Sequence, residues 1–208
     1  MNVVWRKNIN RRAFISSFAL IAVAVIAPGI VSCKDESPET TKNSCSTTSD
    51  ILGPFYKAGA PLREDIIPAG NTATPLIVEG KIFDECGVAL KDAVIEIWNA
   101  NTEGEYDNAG FDFRGSCKTG ADGIYRFKTV IPGRYLNGGT FRPSHIHFRI
   151  SAVDHQKLVS QIYFKDDPFI STDPWASNAK ATQRILMIEK DSIGTDTITF
   201  DIHLPRLV

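Results

Sequence analysis

From Leu76 onward the chain is a succession of short apolar runs broken by Gly-rich turns, with no convincing amphipathic helix among them. Runs of this length and pattern bury themselves as strands. They fall at 76–83, 93–99, 123–130, 144–150, 158–164, 184–189 and 195–204, and turns such as 85–87 and 120–123 separate them. Within 93–99, Ala93, Ile95 and Ile97 share one face and read as core, while Val94, Glu96 and Trp98 form a mixed face. Only 173–182 has room for a short helix. Closely spaced strands joined by such turns specify an all-β fold, a β-sandwich with long loops. With 208 residues and 43% hydrophobic content there is enough apolar surface for one well-buried domain, not two.

The beginning of the chain is set apart from that fold. Arg6, Lys7, Arg11 and Arg12 form a basic region, an apolar run covers 13–31, and Ser32-Cys33 ends it. This is the pattern of a secretory signal. A retained membrane span is the competing reading, but Ile30-Val31-Ser32-Cys33 resembles a bacterial lipobox, in which the cysteine is lipidated. Residues 10–14 (NRRAF) also resemble a twin-arginine export signal, and Lys34-Asp35-Glu36 a short tag for surface sorting of lipoproteins. The expected organisation is therefore a lipoprotein-type signal over 1–32, a polar tether over 33–50 carrying lipidated Cys33, and the sandwich over 51–208. Such a protein is exported and anchored by lipid in the bacterial cell envelope, at the outer membrane, facing periplasm or surface. An exported chain can oxidise its cysteines, and Cys45, Cys86 and Cys117 leave every pairing open. A net charge of -1 points away from nucleic acid.

Chemistry concentrates in 135–148, YLNGGTFRPSHIHF. On a strand, His145 and His147 face one way while Ile146 and Phe148 face the core. Two imidazoles on one strand are half of a metal site. Alone, such a pair is an ordinary surface or core feature, Tyr135 a loop aromatic and Arg142 a salt-bridging residue. The combination carries more weight. Trp98-Asn99-Ala100 with Gly104-Glu105-Tyr106 follows one strand, Pro132-Gly133-Arg134-Tyr135 another, and Arg142-Pro143-Ser144-His145-Ile146-His147-Phe148 opens the next.

From about Gly53 to the C-terminus this set (WxAxxxGxY, PGxY, RPxHIHF) resembles the intradiol ring-cleavage dioxygenases, the family of protocatechuate 3,4-dioxygenase and catechol 1,2-dioxygenase. The resemblance implies one non-haem Fe(III) per chain, held by Tyr106, Tyr135, His145 and His147. Tyr135 and His147 match the axial pair, Tyr106 and His145 the equatorial pair. It implies Arg142 beside the substrate ring, Gln161 in the same pocket, and Trp98 with Gly53, Pro54, Phe55 and Tyr56 lining the cavity. Tyr135 and Arg142 are the expected catalytic residues. Phenolate oxygen is a hard anionic donor suited to the ferric state. The implied reaction inserts both atoms of O2 into a catechol, between its two hydroxylated carbons, giving a cis,cis-muconate-type product. The implied partners are an aromatic diol and O2, with homo-oligomerisation left open. The 136–141 stretch lacks the bulky aromatic that follows this tyrosine in protocatechuate enzymes, so the diol itself is not specified.

Other residues carry plainer expectations. Tyr125 and Tyr163 read as structural, His155 as a turn residue and His203 as a satisfied strand residue. Asp166, Asp167 and Asp173 read as a solvated loop, since their spacing fits no calcium template. The stretches 78–94 and 119–127 also resemble the β-sandwich modules of transthyretin-like and carboxypeptidase regulatory-like proteins, which makes a non-catalytic binding module the alternative function.

Overall fold

A computed structural model describes residues 46–207. The expected signal over 1–32, Cys33, Cys45 and most of the expected tether lie outside the described residues. The strands are β1 (Pro75–Asp84), β2 (Val94–Trp98), β3 (Arg114–Lys118), β4 (Ile124–Val130), β5 (Leu136–Asn137), β6 (Thr140–Phe141), β7 (His145–Ser151), β8 (Leu158–Phe164), β9 (Ile185–Leu186), β10 (Glu189–Lys190), β11 (Asp196–Thr199) and β12 (Ile202–Leu204).

Two sheets form the expected sandwich. In the first, β1 pairs antiparallel with β4, while β11 runs parallel to its first half and β12 to its second. The second has the order β3-β2-β7-β8-β9. β5 and β6 make a small separate hairpin. Alternation along each strand sends Leu76, Val78, Ile82, Tyr125 and Phe127 from the first sheet against Ile95, Ile97, Ile146, Phe148, Ile150 and Ile162 from the second, in one buried cluster. Each such side chain contributes about 1.5–3 kcal/mol by leaving water. The remaining face of the second sheet is thus released from core duty.

The structure departs from the sequence reading in particular places. The run 195–204 is two strands, not one. Its break falls at Phe200 and Asp201, opposite Gly80 of β1, where an added Cβ would overlap the Phe200 carbonyl. There Phe200 N–H donates to the Glu79 carbonyl and Lys81 N–H to Asp201 Oδ1, so the ladder is interrupted between β11 and β12 while both keep the same register on β1. β3 was not expected, because RGSCK shows no apolar alternation; its pairing with β2 makes it a strand. The run 184–189 is not one strand: it holds the two-residue β9 and the first residue of β10. The helical turn is a 3₁₀ element, Ala179–Arg184, later than 173–182 suggested. The tether expected over 33–50 ends sooner. Thr47 is buried, its N–H donates to the His203 carbonyl and its hydroxyl accepts from His203 N–H, so residues 47–50 belong to the sandwich. Cys86 is disulfide-bonded and Cys117 is a free buried thiol, so the two are not paired with each other.

Candidate metal centre

Strand register builds the site. Trp98 of β2 lies opposite His147 of β7, which lies opposite Gln161 of β8, and His145 lies opposite Tyr163. Ile146 and Phe148 occupy the core, so His145 and His147 share the outward face of the second sheet, as alternation requires. Loops cover that face. His145 is 2% exposed and His147 1%. The loop after β2 brings Tyr106 and the loop after β4 brings Tyr135, both half-buried.

The four rings converge. The imidazole centroids are 4.9 Å apart, Tyr135 lies 5.6 Å from His145, and Tyr106 lies 5.8 Å from Tyr135 and 6.3 Å from His147. His145 Nδ1 is 2.6 Å from the Pro143 carbonyl, which can only accept, so Nδ1 carries the proton. The Nε2 lone pair is then the acceptor, taking a hydrogen bond from Tyr106 Oη at 3.3 Å. An imidazole fixed this way is the usual form of a metal ligand. His147 stacks on Trp98 at 4.9 Å and 5°, with its Nδ1 buried and unpartnered. Gly53, at φ +74°, backs the same ring, and a Cβ there would come 3.0 Å from Cε1.

The electrostatics suit a cation. Burial, then the Arg142 charge, pushes His145 down to about 4. Burial, then His145, holds His147 well below its ordinary value. Both are neutral donors at pH 7. Burial, then Tyr135, raises the Tyr106 pKa, so that phenol keeps its proton until a strong cation replaces it. Two neutral imidazoles and two phenols, with no carboxylate among them, form a donor set that fits a hard trivalent ion.

The remaining expected residues surround this set in different ways. Gln161 is fully buried; its Nε2 donates to the Ile51 carbonyl and its Oε1 accepts from Arg142 and Tyr163. Tyr56 packs on Trp98 at 5.1 Å and commits its hydroxyl to Glu96 and Arg149. Pro54 is exposed on the covering loop. Phe55, expected only as cavity lining, stacks flat on Tyr106 at 4.2 Å. Sequence reasoning did not single out Arg114, which is 2% exposed and donates to the carbonyls of both Phe55 and Asp107, pinning that stack. The solvated-loop expectation fails for Asp167 and Asp173. Both are buried, Asp167 accepting from Arg134 and from Ser144 N–H, and Asp173 pairing with Arg142. Loop carboxylates look solvated in a sequence because their partners lie on other loops.

Comparison with known proteins is consistent with this geometry. The profile of a family described as Dioxygenase matches residues 51–205. The chain is 32% identical over 204 residues to a catechol 1,2-dioxygenase of Acinetobacter baylyi, covering 78% of this chain and 63% of that one. It is 33% identical over 161 residues to a protocatechuate 3,4-dioxygenase beta chain of Burkholderia cepacia, covering 70% of this chain and 64% of that one. The dioxygenase domain of a dioxygenase and carbohydrate-binding fusion protein from Streptomyces sp. SirexAA-E superposes with a TM-score of 0.68 at 30% identity, covering 78% of this chain and 99% of that domain. The chain spans 52–63% of the length of the catechol 1,2-dioxygenases it matches.

Proposed function

This chain belongs to the intradiol ring-cleavage dioxygenase family, and from that premise we propose that it cleaves a catechol-type ring between its two hydroxylated carbons, using Tyr106, Tyr135, His145 and His147 to hold one ferric ion. The observation that carries this reading is the convergence of two neutral imidazoles and two phenols beneath loops that exclude water. A ferric ion held there supplies the Lewis acidity that ionises a diol and readies its ring for O2.

The chain's own groups do the rest. Held as a phenolate by the ferric ion, its own proton lost when the ion binds, Tyr135 Oη would accept a proton from a substrate hydroxyl. Arg142 places a permanent positive charge beside the ring, where negative charge develops. Trp98 and Gly53 fix the plane of His147. Gln161 acts by holding Arg142 and Tyr56 by supporting Trp98, so their part in substrate binding is indirect. Both atoms of O2 end in the product's two carboxyl groups, which needs no external reductant. The leader read over 1–33 supports placing this chemistry in the cell envelope, on diols that arrive from outside the cell.

The test is the visible spectrum of the purified protein, with iron quantified, before and after catechol is added without oxygen. One iron per chain and a tyrosinate-to-iron band that moves to longer wavelength with catechol are expected. A protein that folds yet stays colourless after ferric iron is offered would overturn the proposal.

A further inference from the structure

The guanidinium of Arg142 is 2% exposed and is held on several sides. Its Nε donates to Asp173 Oδ2 at 2.7 Å, and its Nη2 faces Asp173 Oδ1, Gln161 Oε1 at 3.1 Å and Tyr163 Oη at 3.3 Å. The Trp175 ring lies beneath it, 4.5 Å from Cζ to centroid. Only Nη1 is buried with no hydrogen-bond partner in the protein, on a guanidinium whose Cζ lies 6.0 Å from the Tyr135 ring.

Asp173 is itself anchored from behind. Its Oδ1 accepts from the backbone N–H of Trp175 and of Ala176, at 3.0 and 2.8 Å. The carboxylate is therefore a fixed post, not a mobile counter-ion. A buried ion pair adds little stability over apolar residues of the same volume, because both charges are desolvated. Fixed geometry is what it can supply. Arg142 is fixed in its backbone too, its N–H donating to the Tyr135 carbonyl at 2.9 Å.

We propose that Asp173 is a positioning residue for ring cleavage: with Trp175 it locks Arg142 so that Nη1 is presented, unpaired, to the oxygens and ring of the bound diol. The inference rests on the functional reading above. It assigns to the reaction the 173–176 turn, which carries none of the four ligands.

The experiment is a double-mutant cycle on the full-length, iron-loaded protein, with catechol as substrate. Asp173→Asn removes the charge and keeps the shape. It should lower kcat by about 10–100-fold, the cost of a misplaced catalytic group. Iron content should be unchanged, and anaerobic catechol affinity, read from the shift of the visible band, should move far less than kcat. In an Arg142→Ala background the same substitution should change kcat by less than about twofold, because the group it positions is gone. Equal losses in both backgrounds, or no loss in the wild type, would overturn the proposal. Should Asp173→Asn fail to fold, Trp175→Leu probes the same cradle. A loss that depends on Arg142 supports the proposal, and one that does not overturns it. A wild-type protein without ferric iron or turnover sinks the functional reading itself, before any variant is made, and this inference with it.

Discussion

His145 and His147 are useful because they are uncharged, and that neutrality has a consequence for folding. In the unfolded chain both titrate near about 6.5. In the folded protein His145 is pushed down to about 4 and His147 well below its ordinary value, in both cases chiefly by burial. Arg142 adds to the effect on His145, while the hydrogen bond to the Pro143 carbonyl, then Asp173 and Asp50, partly oppose it. Between pH 6.5 and 4 the unfolded chain therefore binds protons that the folded chain refuses. Stability of the metal-free protein rises with pH across that window and is lost as pH falls, by at most about 1.4 kcal/mol per pH unit for each histidine. Denaturant titrations at pH 7, 6 and 5 should show the loss, and His145→Asn with His147→Asn should flatten it. A slope unchanged in that double variant would assign the effect to other groups. Tyr106 allows a cleaner cut. In Tyr106→Phe the ring stacked on Phe55 remains and only Oη goes. Folding should be nearly unaffected. Ferric iron affinity should fall by more than the roughly 10–100-fold that loss of an outer hydrogen bond costs. Iron content after dialysis against a chelator, beside a thermal melt, checks both halves. At this scale the histidine face was legible from strand alternation alone. Tyr106 and Tyr135 were legible only as members of a motif set, since nothing local marks a loop tyrosine as a ligand.

At the scale of elements, the two loops that carry those tyrosines are set by their glycines. Gly104, at φ +87°, would drive a Cβ into the Arg134 carbonyl, and a Cβ on Gly133 would overlap the backbone of Thr102 and Gly104. Gly133 N–H donates to the Asn101 carbonyl at 2.7 Å. The loops thus touch backbone to backbone at the glycine of each motif, two residues before each tyrosine. That contact fixes the separation of Tyr106 and Tyr135. Gly133→Ala should force the loops apart, costing about 1–3 kcal/mol as overpacking does, and should weaken iron binding though no ligand is changed. A denaturation midpoint and an iron titration test this together; a variant with wild-type iron affinity would show that the loop contact does not set the site. The pattern GxY was visible in the sequence, but the reason for it was not. It is a contact between segments about thirty residues apart, and no periodicity encodes such a contact. β3 was missed for the same reason, being a strand by pairing and not by composition.

For the whole molecule, a β-sandwich by itself does not separate an enzyme from the binding modules that share its architecture. The difference lies in how the outer faces are treated. One sheet leaves outward groups such as Lys81 and Ile124 exposed, while the other buries Trp98, His145, His147, Gln161 and Tyr163 beneath loops. Burying that many polar groups outside the core costs free energy that a scaffold has no reason to spend. The hydrogen bonds of Thr47 to His203, and of Asp50 N–H to the Val159 carbonyl, already fasten the domain's leading edge. Anchoring and catalysis should therefore separate. In a bacterial host that processes lipoproteins, the wild-type protein should partition into a detergent phase through Cys33, since stable attachment needs more than one acyl chain. Cys33→Ser should move it to the aqueous phase with the same iron content, the same visible band and the same kcat on catechol. Detergent-phase partitioning retained by Cys33→Ser would point instead to a membrane span in the 13–31 run. Loss of iron on release from the membrane would mean that the segment before Thr47 supports the site after all.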